Sequence, residues 1–317
     1  MTMLAVVAFS LLFVLLLALT WHRRGGALLP LAAAVVALAP LAIVEWLGAA
    51  WARRRLTSPA RVRRSLEAAG LGDLIEGCAV SAQRIAKGRM NAVLIVTLTP
   101  EAGEPRTLVL KHLLRFGTLL GWAARTFGAT REYPDRQDAT ARTVREVRAL
   151  LRLARWGFPT PRCLGFSLRE QIIAMEYVEG LPLAEQMARE PALVAQLGAL
   201  LARMHAHDYS TGDANPENML VDANGRIIPL DFEQSLFGAE ATCARKGFDL
   251  AWAGAFLATD EDRARLAAAY GGYPAPLAAA VRSARAHLDR FFPIVEWYGR
   301  RWRAPGLPIP PAAEVTP

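Results

Sequence analysis

The chain has 317 residues, of which 53% are hydrophobic and 21% charged; 37 Lys and Arg against 29 Asp and Glu give a formal net charge of +8 and a pI near 9.9. That length suits one two-lobed domain with an appendage, or two modest domains, and is ample for a buried core. Cys78, Cys163 and Cys243 are odd in number and widely spaced, which argues against a disulfide framework or a zinc site, while the basic balance favours an acidic contact such as phosphates or an anionic membrane surface.

Residues 1–20 are almost wholly apolar and residues 27–51 form a second apolar stretch, each near the ~20 residues a helix needs to cross a bilayer. The pair reads as a transmembrane hairpin over 1–51. Trp21 closes the first segment, and Trp46 and Trp51 sit near the end of the second, where interfacial aromatic rings belong. The opening Met1-Thr-Met-Leu lacks the positive charge that begins a cleaved signal peptide. Pro30, Pro40, Glu45 and Gly48 interrupt the second segment, so a re-entrant or surface-lying helix is the alternative there. Arg23 and Arg24 lie between the segments, whereas Arg53, Arg54, Arg55, Arg61, Arg63 and Arg64 follow them. This excess puts the rest of the chain on the cytoplasmic side of the inner membrane and makes 52–79 a basic juxtamembrane linker drawn to anionic headgroups.

Residues 80–85, 92–98 and 106–112 read as three strands. The turn after the first contains Lys87 and Gly88 and, on its residues, reads as a plain hairpin turn. Lys111 follows Leu108, Val109 and Leu110 near the end of the third strand. The apolar and aromatic run at 113–128 then offers a membrane-surface segment, a receptor for a lipid-linked acceptor, or ordinary packing. Val144, Val147, Leu151 and Ala154 recur at helical spacing around Glu146, and Gly157 with Pro159 stops that helix. Residues 172–176 read as a buried strand leading into a linker, and 192–207 as a helix with a core stripe of Leu193, Leu197, Leu200, Leu201 and Met204.

That helix leads into the stretch with the most chemistry. Asp213 and Asn218 lie five apart in a polar loop; apolar runs at 219–221 and 227–230 flank an Asn224-Gly225 turn and end at Asp231. Phosphoryl transfer from a magnesium nucleotide needs this set: a carboxylate to accept or orient the proton of an attacking hydroxyl, and hard oxygens to hold the metal. Asp213, Asn218 and Asp231 are the candidates for these roles. Turns also favour Asp, Asn and Gly, but the order of a strand Lys, a helix Glu, a further strand and then this loop reverses that reading.

Taken with the Met-Glu-Tyr-Val-Glu-Gly run ending at Gly180 and with Lys246-Gly-Phe-Asp249-Leu250, these motifs make residues 80–255 resemble the atypical protein-kinase-like family. It includes the small KEOPS-complex kinase and the bacterial lipopolysaccharide core sugar (heptose/Kdo) kinases. The resemblance implies a two-lobed α+β fold, with a small lobe over 80–175 and a mainly helical lobe over 176–304, and ATP and Mg2+ as cofactors. It implies further that Lys111 holds the α- and β-phosphates while pairing with Glu146 and that the Lys87-Gly88 loop covers the phosphates. Asp213 would be the base, with Asn218 and Asp231 the magnesium ligands; backbone groups at Glu176 and Val178 would meet adenine, and Asp249 would brace the catalytic loop.

Three positions depart from the family pattern: Thr211 stands for its usual His, Glu233 for the Gly after Asp-Phe, and Asn215 for the Lys of Ser/Thr protein kinases. Only about a dozen residues separate Glu233 from Lys246, without Ala-Pro-Glu, so a peptide-docking segment is missing. The expected function is therefore membrane-anchored phosphotransfer to a hydroxyl of a sugar or lipid-linked glycan. The alternatives are an autophosphorylating atypical Ser/Thr protein kinase and a nucleotide-binding pseudokinase scaffold, which Thr211 and Glu233 favour. Nucleic acid is not an expected partner, because the arginines cluster beside the apolar segments without base-stacking aromatics. Beyond Asp249 the chain reads as Ala-rich helices, with a capping start at Thr259 and Pro276 in a first turn, a basic aromatic cluster at 297–303 and a disordered Pro-rich tail over 305–317.

Overall fold

A computed structural model describes residues 56–85, 91–113 and 138–300, with side chains as far as residue 288. The apolar segments at 1–20 and 27–51, the Lys87-Gly88 turn, most of the 113–128 run, the aromatic side chains at 297–303 and the tail lie outside these residues. Among the described residues no helix is long and apolar enough to cross a membrane.

The small lobe is a five-stranded antiparallel sheet with helices on both faces. Its strands are β1 (Cys78–Arg84), β2 (Asn91–Pro100), β3 (Arg106–Leu113), β4 (Cys163–Ser167) and β5 (Ile172–Glu176), in the spatial order β1-β2-β3-β5-β4. Alternation along the strands assigns each side chain to a face. Leu108 and Leu110 of β3 and Ile172 and Ala174 of β5 pack with Leu94, Val96 and Leu98 on one face. Leu113, Ile173 and Met175 lie in a second core on the other, and Lys111 shares their parity. His112, on the opposite parity, is buried; loss of solvent and the nearby Arg61 charge depress it to about 4, so it is neutral at physiological pH.

Helices α1 (Pro59–Ala68) and α2 (Gly72–Ile75) precede the sheet. The basic stretch read as a linker is thus largely part of the small lobe. Val62, Ser65 and Leu66 recur at helical spacing and are buried, and Val62 and Leu66 join Ile75 and the first face of the sheet in one core. The arginines take other directions, Arg63 donating to the Ile75 carbonyl at 2.9 Å and Arg61 lying 3.8 Å from Glu170.

Helix α3 (Ala139–Arg155) covers the second face through Val147, Leu150 and Leu153. Asp138 caps it by accepting from the Ala141 amide at 2.9 Å, and Gly157 follows its end at φ +75°. Residues 177–180 link the lobes. The large lobe then runs through β6 (Leu181–Pro182), α4 (Leu183–Met187), α5 (Ala192–Ala206), β7 (Tyr209–Ser210), β8 (Met219–Val221), β9 (Ile227–Pro229), β10 (Leu236–Phe237), α6 (Cys243–Ala255), α7 (Asp260–Tyr270) and α8 (Ala275–Arg300). Strands β6, β8 and β9 form one small sheet, and β7 pairs with β10 in another. The stripe on α5 is buried as its spacing predicts, and Thr259 caps α7 by accepting from the Asp262 amide. Helix α8 lies close against α6 at Gly247, where an added Cβ would come within 2.6 Å of the Ala280 methyl.

Candidate active site

The loop between β7 and β8 is shaped by one buried carboxylate from α6. Asp249 accepts from the Ser210 hydroxyl, the Thr211 amide and the Thr211 hydroxyl at 2.8 Å each, and from the Gly212 amide at 2.9 Å. His205 Nε2 lies 3.2 Å away, and its Nδ1 meets the Tyr270 hydroxyl at 2.9 Å. Asp249 is wholly buried, and these donors supply what water would otherwise provide. The brace expected at this position is present. Thr211 serves it with both amide and hydroxyl. Gly212 is needed for a further reason: its φ is +70°, and a side chain there would collide with the Gln234 carbonyl.

The braced turn delivers Asp213, both of whose oxygens are held: Trp252 Nε1 donates to Oδ1 at 2.7 Å and Asn218 Nδ2 to Oδ2 at 3.0 Å. Trp252 is itself fixed by Phe248, stacked at 5.9 Å, and by Phe256, edge-on at 5.9 Å, one helical turn to either side. Burial, then the neighbouring Asp231 charge, push the Asp213 carboxyl up to about 7 against the opposing pull of the indole N–H. Asn218 has a second tie, its carbonyl accepting from the Leu230 amide at 3.0 Å, so it sits between Asp213 and the strand that leads to Asp231.

Across the cleft, Lys111 Nζ donates to Glu146 Oε2 at 2.6 Å and to Asp231 Oδ1 at 2.8 Å, with Glu233 at 4.0 Å. Burial alone would lower the ammonium, but Asp231, Glu146 and Glu233 together raise it, so it is held charged. Glu146 is pushed up by the same burial, opposed by Lys111. Glu146, Asp231 and Glu233 each offer an oxygen within 4.8 Å of the others, and the cation among them is the Lys111 ammonium. Side-chain oxygens of Asn218 and Asp231 remain for a magnesium ion after the bonds to Asp213 and Lys111, a hard-oxygen donor set that suits that metal.

The structure thus brings together Lys111, Glu146 and Asp231 in one group, and Asp213 with Asn218 in another whose strands connect directly to it. Lys87 and Gly88 lie outside the described residues. At the end of β5 the Glu176 amide donates to the Arg162 carbonyl at 2.9 Å, while Val178 in the linker makes no backbone hydrogen bond among the described residues. Reading the sequence missed Trp252 altogether. Its signal was its place three residues after Asp249, one turn further on the same helix face. It also missed the partners of Glu233, Asn91 and Arg142, which lie far from it in sequence.

The model of the "Phosphotransferase enzyme family" matches residues 81–212, ending one residue before Asp213. The KEOPS complex subunit Bud32 of Pyrococcus abyssi is 29% identical over 114 residues, covering 34% of this chain and 50% of that protein. The 3-deoxy-D-manno-octulosonic acid kinase of Stenotrophomonas maltophilia (strain R551-3) is 32% identical over 147 residues, covering 44% of this chain and 57% of that enzyme. The chain spans about half the length of the curated relatives it matches. Among solved structures, the Rio2 kinase–ADP/Mg2+–phosphoaspartate complex from Chaetomium thermophilum aligns with 73% of this chain and 75% of its own, at a TM-score of 0.41 and 20% identity. Residues 81–212 match that family model, and the domain around them is a two-lobed α+β structure.

Proposed function

We propose that the chain is an ATP- and Mg2+-dependent phosphotransferase that phosphorylates a hydroxyl of a sugar or lipid-linked glycan. The observation that carries the catalytic part is the assembled pair of groups: Lys111 bridging Glu146 and Asp231 on one side, and Asp213 held by Trp252 and Asn218 on the other. In this reading Lys111 binds the α- and β-phosphates, Glu146 fixes Lys111, and Val178 with Glu176 meets the adenine edge. Asn218 and Asp231 would hold the magnesium, which supplies charge neutralisation at the phosphates when bound. Asp213 accepts the proton of the attacking hydroxyl; its raised carboxyl suits a base working near neutral pH.

The acceptor is inferred from what surrounds Asp213. Between Phe232 and the Thr242 cap of α6 the chain has little more than β10, which pairs back onto β7, and one 3-10 turn. A polypeptide substrate would find no long platform there, whereas a compact hydroxyl-bearing ring needs none. The likeness to a 3-deoxy-D-manno-octulosonic acid kinase supports a sugar acceptor. A membrane setting rests on the apolar stretches at 1–20 and 27–51 and the arginines that follow them, and would place the kinase-like domain at the cytoplasmic face.

The test is to supply the purified full chain in detergent with γ-labelled ATP, Mg2+ and membranes stripped of endogenous kinases, with Asp213→Asn as control. Label in a lipid or glycan fraction, absent with the variant, is the expected result. Label confined to protein would replace this reading with a protein kinase, and no label with intact nucleotide binding would replace it with a pseudokinase.

A further inference from the structure

Glu233 stands directly after Asp231-Phe232, where the family pattern has a residue without a side chain, and here its carboxylate is buried. Asn91 Nδ2 of β2 donates to its Oε2 at 2.7 Å; Arg142 Nη1 of α3 lies 3.3 and 3.2 Å from its two oxygens and also donates to Asn91 Oδ1 at 3.1 Å. Arg145 Nε donates to the Glu233 carbonyl at 2.6 Å. Further along the same helix, the Arg148 and Arg152 guanidinium carbons lie 5.0 and 4.9 Å from the centre of the Phe237 ring. Four arginines at 142, 145, 148 and 152 therefore form one stripe of α3, and each engages the segment from 233 to 237.

This stripe has a consequence for the nucleotide site. Lys111 is fixed to the sheet, Glu146 to α3 and Asp231 to the segment that Glu233 belongs to. The three meet only while α3, β2 and that segment keep their relative places. We infer that Glu233, through Arg142 and Asn91, is a positioning residue that locks α3 to the segment after Asp231 and so keeps the Lys111–Glu146–Asp231 group assembled before nucleotide arrives. The inference rests on the reading of that group as a nucleotide-phosphate site.

Two opposing effects give the test its sign. Glu233 is a negative charge 4.0 Å from the cation meant for phosphate, so by Coulomb attraction alone its neutralisation would tighten a polyphosphate ligand. If Glu233 acts by positioning, its neutralisation weakens that ligand instead. The experiment is calorimetric titration of Mg-ADP into the purified full chain as wild type, Glu233→Gln, Arg142→Lys and the double variant, each checked by thermal melting. The account expects Glu233→Gln to weaken Mg-ADP roughly tenfold. Arg142→Lys, which keeps the charge and loses the planar fork, should weaken it less, and the double variant should be no worse than Glu233→Gln.

Unchanged or tighter binding by a folded Glu233→Gln would overturn the inference, as would fully additive losses. If Glu233→Gln does not fold, Arg142→Lys decides alone: unchanged affinity there overturns the inference. A wild type that binds no Mg-ADP sinks the nucleotide reading and this inference together. One that binds, with variants that match it, sinks the inference only.

Discussion

Two buried carboxylates, Asp249 and Glu233, organise the cleft and are satisfied in contrasting ways. Asp249 collects hydrogen bonds from consecutive groups of one loop, two of them backbone amides, and so fixes the local path of the chain through Gly212 to Asp213. Glu233 collects charge and amide donors from β2 and α3, which come from far away in sequence, and so fixes elements relative to one another. The first therefore governs the shape of the loop that bears Asp213. The second, on the inference above, governs the placement of Lys111 relative to Asp231.

The contrast is broken most severely at Lys111. Lys111→Met leaves Glu146, Asp231 and Glu233 crowded without their ammonium, and removing one partner of such a buried set costs about 3–5 kcal/mol. Chemical denaturation should show that loss, and Mg-ADP binding should fall below detection. Asp249→Asn strikes the other carboxylate. Its amide cannot accept from all the donors of residues 210–212, each unsatisfied group costing about 1–3 kcal/mol. Since the injury is local to the loop, melting temperature and kcat should both drop while Mg-ADP affinity changes little. Loss of affinity as large as that of Lys111→Met would erase the distinction between the two regions.

Trp252→Phe sharpens it further, because phenylalanine keeps the packing with Phe248 and Phe256 and removes only the donor to Asp213. A hydrogen bond to a charged group is worth about 1.5–3 kcal/mol, so kcat should fall about 10- to 100-fold with the KM for ATP unchanged. The smallest effect is on pH. Asp213 must lose its proton before it can accept one, so kcat/KM should rise with pH through an ascending limb near the value of about 7. Trp252→Phe removes a bond to the charged form and should move that limb upward. The same elevation fixes the sign of the stability term. Between the ordinary aspartate range and about 7 the folded state binds more protons than the unfolded one, so this group's contribution to stability falls as pH rises.

What could be read from the sequence follows from the same contrast. Asp213, Asn218 and Asp231 were legible because a loop and a hairpin hold them close in sequence, and Asp249 because its motif follows within one helix. Lys111 and Glu146 gained meaning from order rather than spacing. The strands read at 80–85, 92–98, 106–112 and 172–176 and the helix read at 192–207 have ends within two residues of those observed, since hydrophobic alternation marks a strand's middle and hydrogen bonding decides its ends. By contrast, β4 and the short elements α2, α4, β6, β7 and β10 were not read. Glu233 was legible only as a departure, because its partners Asn91 and Arg142 lie 142 and 91 positions away and only the closed sheet and α3 bring them together. Helix α1 was hidden by its composition. The arginines dominated the reading although Val62, Ser65 and Leu66 carried the helical spacing of a buried face.

The central claim is that Asp213 takes the acceptor's proton in a site already built to hold the nucleotide. Its most direct test is single-turnover transfer from γ-labelled ATP at saturating nucleotide, comparing wild type with Asp213→Asn and measuring nucleotide affinity in parallel. The account predicts equal affinity and transfer slowed by about 10²–10⁴-fold in the variant. Equal transfer rates at equal occupancy would contradict it.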